Sequence, residues 1–233
     1  METNRGEMMI YNPWKIQKII DDIWYTLHDS IPDRSINKIG DYWLISDTHF
    51  NHKKVQEYCG RPDGWQELII NNWNNVVKNE DIVLHLGDFM FGNKKQALEI
   101  TGMLNGTIFM IKGNHDRHGK AWFEDAGINI IPPFMVKHPD NLDIIYFTHR
   151  RIKDENFSGI NIHGHVHNTK PFCSVDKQGI FINVSVEKMV YTPIKLSDVM
   201  NRVINYTKSL FEENNDMSTI PLSAKTLEKE EWP

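Results

Sequence analysis

The sequence is short of cysteine: 233 residues contain only Cys59 and Cys173. Two thiols cannot build a disulfide framework, and they fit a reducing compartment in which both stay free. Long hydrophobic runs are also missing. Stretches such as Ile82-Val83-Leu84 hold a few residues, whereas a membrane-crossing helix needs about 20, so no membrane partner is expected. The N-terminal residues carry Glu2, Arg5 and Glu7 with no apolar segment behind them, so no secretory leader is legible and a cytoplasmic location is expected. Positive charge is not in excess. The net charge of -5 argues against a general nucleic-acid coat protein, although a local basic patch stays compatible with it. Low-complexity tracts and internal repeats are absent. With 40% hydrophobic and 24% charged residues the chain can bury a core, which excludes disordered and collagen-like classes. The length suits one domain with additions at its ends.

Three regions are expected. Residues 1–40 form an N-terminal extension, in which Asn12-Pro13 starts a helix over 12–28. Ile16, Ile19, Ile20, Ile23, Trp24 and Leu27 trace one helical stripe, which either packs on its own domain or binds a partner. Residues 41–206 alternate short strands with helices. Strands are expected at Tyr42–Ser46, Ile82–Leu86, Thr107–Lys112, Ile160–His163 and Ile180–Glu187. Phe134–Lys137 and Leu142–Thr148 read as a hairpin around Pro139-Asp140-Asn141. Helices are expected at Glu67–Val77, Lys94–Leu104 and Ser197–Tyr206, the last with Ser197 as its N-cap. This alternation implies an α/β fold. Residues 207–233, with Glu212, Glu213, Asp216, Glu228, Glu230 and Glu231, read as a polar tail.

What the chain has in plenty is histidine, 11 in all, many beside Gly, Asp or Asn. Five segments share one character: an apolar strand ends in a tight turn bearing an oxygen or imidazole ligand. They are Ser46-Asp47-Thr48-His49, Gly87-Asp88, Gly113-Asn114-His115-Asp116, Thr148-His149 and Gly164-His165-Val166-His167. Carboxyl ends of strands are where α/β sheets bind ligands. Gly87, Gly113 and Gly164 let the backbone turn sharply and approach a metal or phosphate. Asp47, His49, Asp88, Asn114, His149, His165 and His167 make seven candidate metal ligands. Seven nitrogen and oxygen donors without cysteine are too many for one tetrahedral zinc. They suit two divalent ions, Mn²⁺ first, with Fe²⁺, Zn²⁺ or Ni²⁺ as alternatives. Two metals ~3.5–4 Å apart are a device for in-line displacement at phosphorus. Such a pair needs a bridging carboxylate, and Asp88 is the natural choice. Any one of these residues alone is more often a turn or packing residue; the ordered set is what carries the signal. His85 and His163 share strands with ligands and are expected behind them, while His28, His118 and His138 are expected at the surface.

Asp47-x-His49, Gly87-Asp88, Gly113-Asn114-His115-Asp116, the lone His149 and Gly164-His165-x-His167, in that order, resemble the calcineurin-like metallophosphoesterase superfamily over roughly residues 41–200. Asn72-Trp73-Asn74, His85–Phe89 and Asn183–Glu187 resemble its small single-domain bacterial and phage members. The resemblance implies a four-layer α/β/β/α sandwich, here with an extra N-terminal helix. It implies that Asp47, His49 and His167 hold one metal, that Asn114, His149 and His165 hold the second, and that Asp88 bridges them with a hydroxide on the open side. His115 would face the phosphate and protonate the leaving oxygen, since histidine can act as a general acid near neutral pH.

The substrate class is narrower than the superfamily. Phe91 stands where the Ser/Thr protein phosphatases carry a second Asp after the bridging one, which disfavours phosphoproteins and removes the carboxylate that would orient His115. Arg150, Arg151 and Arg117 are candidate clamps for a nucleotide or second phosphate, and His52 is a candidate substrate contact. Phe50, Phe89 and Phe91 either stack a base or belong to the core. The expected activity is therefore metal-dependent hydrolysis of a small phosphodiester or nucleotide. A nuclease on DNA or RNA is the first alternative, and a non-enzymatic metal-dependent scaffold binding a protein partner is the second.

Overall fold

The computed structural model describes residues 42–137 and 144–213. The helix expected over 12–28, the Pro139-Asp140-Asn141 turn and residues 214–233 lie outside them. Two five-stranded sheets face each other. The first is built from β1 (Trp43–Ile45), β2 (Ile82–His85), β3 (Thr107–Ile111) and β4 (Ile128–Ile131), with β10 (Ile194–Lys195) at its edge, in the order β10-β1-β2-β3-β4. The second is built from β5 (Phe134–Lys137), β6 (Ile144–Phe147), β7 (Gly159–His163), β8 (Cys173–Asp176) and β9 (Gly179–Asn183), in the order β5-β6-β7-β9-β8. Strands β1 to β4 are mutually parallel, as are β6, β7 and β9. Each parallel set therefore gathers its strand ends along one edge of its sheet.

Alternation along the first sheet explains its two faces. Leu44, Leu84 and Phe109 stand in register and join Ile145, Phe147, Ile160, Ile162, Ile180 and Ile182 of the second sheet in one apolar cluster between the sheets. Their neighbours Val83, Ile108 and Ile128 face the other way. They pack against four helices, α1 (Lys54–Cys59), α2 (Trp65–Val76), α3 (Lys94–Thr101) and α4 (Lys120–Glu124). Asn93 caps α3 in a capping box with Gln96. The final helix α5 (Leu196–Glu213) adds Leu196, Val199, Met200, Val203 and Ile204 to the inter-sheet cluster. This is the two-sheet α/β architecture that the resemblance implied.

Several expectations are corrected. Helix α5 runs well past Tyr206, and it starts at Leu196, so Ser197 lies inside its first turn. Its start is set by pairing, since the Leu196 amide donates to the Tyr42 carbonyl at 2.9 Å. Regular strand β9 ends at Asn183 rather than at Glu187, after which Ser185 makes an isolated bridge to Ser46 of the other sheet. Helix α3 ends at Thr101, not at Leu104.

Trp73 is fully buried under the first sheet, and its indole donates to the Asn105 carbonyl at 2.9 Å. Trp73→Ala removes both packing and anchor. It is expected to cost about 3–5 kcal/mol in urea denaturation, and a loss below about 1 kcal/mol would contradict this account of the core.

Candidate metal centre

All seven expected donors meet where the two sheets' parallel strands end. Asp47 and His49 follow β1, Asp88 follows β2, and Asn114 follows β3; His149 follows β6, and His165 and His167 follow β7. Donor atoms of Asp47, His49 and His167 lie within 4.8 Å of one another, and so do those of Asp88, His149 and His165. The groups share a border at Asp88, whose Oδ2 is 3.7 Å from His49 Nε2 and 3.3 Å from His149 Nε2. Asn114 Oδ1 sits 3.1 Å from His149 Nε2. On the other side, Asp47 Oδ1 is 4.0 Å from His49 Nε2 and 3.9 Å from His167 Nε2.

Hydrogen bonds orient four of the donors, Asp47, Asp88, His149 and His167. Asp47 Oδ2 accepts from the Ser185 hydroxyl at 2.9 Å and the His165 amide at 2.8 Å, while its buried Oδ1 has no donor. Asp88 Oδ1 accepts from the His115 amide at 2.7 Å, leaving Oδ2 for the two imidazoles. His149 Nδ1 lies 2.7 Å from the Leu86 carbonyl, which can only accept, so the ring proton belongs there. Its Nε2 then faces two oxygens, Asp88 Oδ2 and Asn114 Oδ1; burial opposes a charge there, but the hydrogen bond to Asp88 and the charges of Asp47 and Asp88 outweigh it and raise the His149 pKa, so a proton or a metal cation can satisfy the site. Likewise, His167 Nδ1 donates to Glu187 Oε1 at 3.1 Å, which aims Nε2 at Asp47. Both nitrogens of His49 are buried without a partner.

Protonation meets only part of this demand. Burial pushes His49 down to about 2, so it is neutral at physiological pH. For His167 burial also opposes the charge, but hydrogen bonds with Cys59 and Glu187 and the charges of Asp47 and Glu187 outweigh it and push it up to about 10. The orphaned Asp47 Oδ1 and His49 lone pair, and the nitrogen and oxygen donor set, fit divalent cations.

The backbone is bent to the same end. Asp47, His49, Asp88, His165 and His167, five of the seven donors, have left-handed φ between 47° and 71°. L-residues pay about 1–2 kcal/mol each for that conformation, and such strain collects at functional sites. Two glycines permit the close approach of the turns. A Cβ on Gly113 would overlap the Asp88 side chain, and one on Gly164 would overlap Ser46 Oγ and the Asp47 carboxylate.

His115 is half-buried at the rim, with its ring centroid 5.3 Å from that of His49 and 5.5 Å from that of Phe91. Phe91 in turn stacks on His52 at 4.0 Å. The rings of His49, His52 and Phe91 thus lie around His115, and Phe91 is a wall of the site. Phe50 and Phe89 are fully buried and belong to the core. Arg150 is exposed and lines a groove of about 430 Å³ with Lys112, Asn114, Pro133, Thr148 and His149. Arg117 is exposed beside His115. Arg151 is half-buried; its guanidinium pairs with Asp176 and lies 3.5 Å from the Phe181 ring centroid.

Several supporting residues escaped sequence reasoning. Asp116 accepts from the amides of Asp88, Phe89 and Gly113 at 2.7, 3.0 and 2.8 Å, which locks the β2 turn to the β3 turn. Its place in the Gly113–Asp116 run was the available signal. Ser185 and Glu187 lie in the Asn183–Glu187 run, but nothing local assigns them to Asp47 and His167. His85 lies behind the centre as expected. Its Nδ1 accepts from the Gly87 amide at 3.1 Å, so Nε2 donates to Thr48 Oγ1 at 3.0 Å. Burial pushes its pKa down to about 3, which keeps it neutral for this task. His163 is buried, with Nδ1 2.8 Å from the Gly164 carbonyl.

The sequence pattern that defines the calcineurin-like phosphoesterases matches residues 41–213. The chain belongs to that family. An uncharacterized protein of Methanocaldococcus jannaschii is 36% identical over 171 residues, which are 69% of this phosphoesterase and 90% of the archaeal protein. The Gene 66 protein of Mycobacterium phage L5 is 32% identical over 80 residues, or 32% of this chain and 39% of the phage protein. The crystal structure of a protein of unknown function from Aquifex aeolicus is similar with a TM-score of 0.50 and 26% identity, covering 71% of this phosphoesterase and 97% of that chain. The residues that match the family thus include every donor described above, and the phosphoesterase carries His/Asp clusters able to hold metal. Among its described residues no helix is long and apolar enough to cross a membrane.

The strain argument is testable without metal. Asp88→Ala and Asp88→Gly both lose the carboxylate, but only glycine relaxes at φ 56°. In chelator-treated protein the glycine variant is expected to be more stable by about 1 kcal/mol in urea titration. A more stable alanine variant would show that the turn is unstrained.

Proposed function

We propose that this phosphoesterase hydrolyses a small phosphodiester or nucleotide with two divalent ions, Mn²⁺ first among them. Asp47, His49 and His167 would hold one ion, and Asn114, His149 and His165 the other, with Asp88 between them. The observation that carries this reading is the position of Asp88 Oδ2, which faces an imidazole from each donor group. When bound, two divalent ions supply hydroxide at neutral pH and neutralise phosphate oxygens as charge develops. The protein's own part is to fix the donors' lone pairs, through Ser185, Leu86 and Glu187, and to exclude water from behind them. His115 lies at the rim, next to Phe91 and His49, where a leaving oxygen would emerge, and acts as the general acid. Arg150 and Lys112 line the groove beside Asn114 and His149 with no acidic residue among its walls. They would hold a second anionic group of the substrate. The same two cations favour a nuclease as the second reading. Arg117 and His52 flank His115 and are assigned to substrate contact. Both cysteines are buried and free, consistent with the cytoplasm.

Metal-stripped protein reconstituted with Mn²⁺ is expected to bind two ions per chain, and Asp88→Asn to weaken both. A stoichiometry that stays at one or zero would defeat the dinuclear reading. His115→Ala is expected to lower turnover of alkyl phosphoesters ~10²–10⁴-fold with metal content unchanged, and to lower it much less for nitrophenyl esters, whose leaving groups need little protonation. Equal losses on both would remove His115 as the acid. Arg150→Ala is expected to raise KM for nucleotide diesters and spare bis-nitrophenyl phosphate, which offers the guanidinium nothing to hold. Unchanged kinetics on every nucleotide would return Arg150 to ordinary surface.

A further inference from the structure

We infer that Arg61, which no ligand pattern points to, is a positioning residue for one half of the centre, the half made by Asp47, His49 and His167. The inference rests on the dinuclear reading above. Arg61 follows α1 and is only 4% exposed. Its fork is almost fully used. Nη1 donates to the Thr48 carbonyl at 2.7 Å and Nη2 to the Asp47 carbonyl at 2.6 Å. Nε and Nη2 both donate to Glu187 Oε1, at 2.9 and 2.7 Å. The guanidinium carbon lies 4.5 Å from the Trp65 ring centroid, which clamps it from one side.

These contacts join the two pieces of that half-site. The Asp47–His49 turn is left-handed at both ends, with φ 59° and 51°. The turn's amides are held by the Gly87 and Asp88 carbonyls, and Arg61 supplies the donors for its two consecutive carbonyls. Through Glu187 Oε1, 3.1 Å from His167 Nδ1, the same guanidinium sets the imidazole that closes the half-site from the second sheet. Among the described residues Arg61 makes no such contact with Asn114, His149 or His165: His149 is set by the Leu86 carbonyl, the turn before Asn114 by Asp116, and His165 touches the Arg61 half only through its amide on Asp47 Oδ2. A planar fork can hold two carbonyls and a carboxylate together; a lysine ammonium keeps the charge opposite Glu187 but not that geometry.

The test is calorimetric titration of metal-stripped full-length protein with Mn²⁺. In Arg61→Lys one of the two ions is expected to bind ~10–100-fold more weakly, as is usual when the partner of a ligand is lost, while the other keeps its affinity within about threefold. A buried residue with a purely structural role would weaken both ions together, or neither, and either result overturns the inference. Far-UV circular dichroism and the urea midpoint establish that the variant is folded. If Arg61→Lys fails to fold, Glu187→Gln takes its place. It keeps the volume and an acceptor for His167 but removes the charge that Arg61 holds, and the same one-sided weakening is expected. Wild-type protein that binds a single ion defeats the dinuclear reading by itself; Arg61 then stands if that ion weakens in the variant and falls if it does not.

Discussion

An acceptor buried without a donor is the constraint on which this molecule depends. Asp47, His49 and Asp88 are each at most 2% exposed; Asp47 Oδ1 and both His49 nitrogens have no hydrogen-bond partner, and Asp88 Oδ2 lies 3.7 Å from His49 Nε2. Leaving such groups dry and unpaired costs several kcal/mol, more for a carboxylate. No fold drifts into that arrangement, because every local relaxation would relieve it. The surrounding structure must hold it against relaxation, and much of the protein near the strand ends does so. Asp116 ties two turns together through three amides, and Ser185 and Glu187 each take one side of a donor so that the other side stays free.

The two-sheet architecture is what allows that restraint. A parallel sheet delivers strand ends to one edge, and two sheets placed face to face deliver them from two directions. The join is direct: Ser46 bridges Ser185, and the Val186 amide donates to the Ser46 carbonyl at 3.0 Å. The apolar cluster between the sheets then fixes their relative position through close packing rather than through loop stiffness. Donors carried on loops gain the precision of the core because each loop is only a few residues long between a buried strand and its first contact.

The donor set was legible because it recurs five times in one grammar, an apolar strand followed by a turn with Asp, Asn or His. The main strands were legible for the related reason that Ile82–Leu84 or Ile108–Ile111 are apolar runs bounded by turn residues. Helices α1 and α4, and strands β4, β8 and β10, were missed. They span between two and six residues, too few to show a period. Helix α5 was read too short because Glu212 and Glu213 were grouped with the acidic residues that follow them, whereas the helix continues past Tyr206 through the buried Thr207. Supporting contacts were illegible in principle. Arg61 and Glu187 are 126 positions apart, and an arginine beside a proline gives no hint that it holds carbonyls 13 and 14 residues earlier. The partners of Arg151, Asp176 and Phe181, were illegible for the same reason, since they come from strands whose register only the fold reveals.

The division of the donors between the sheets also sets an order in time. Asp47, His49, Asp88 and Asn114 belong to the first sheet, and His149, His165 and His167 to the second, which follows it in the chain. A ribosome therefore releases four donors before the other three have been synthesised. Neither proposed ion has its full set at that stage, since His167 completes one and His149 with His165 the other. Even the first sheet lacks its edge until Ile194 and Lys195 return to pair with β1. On that proposed assignment metal capture would be a late event of biosynthesis, and only a chain truncated before residue 165 would lack a donor of each site.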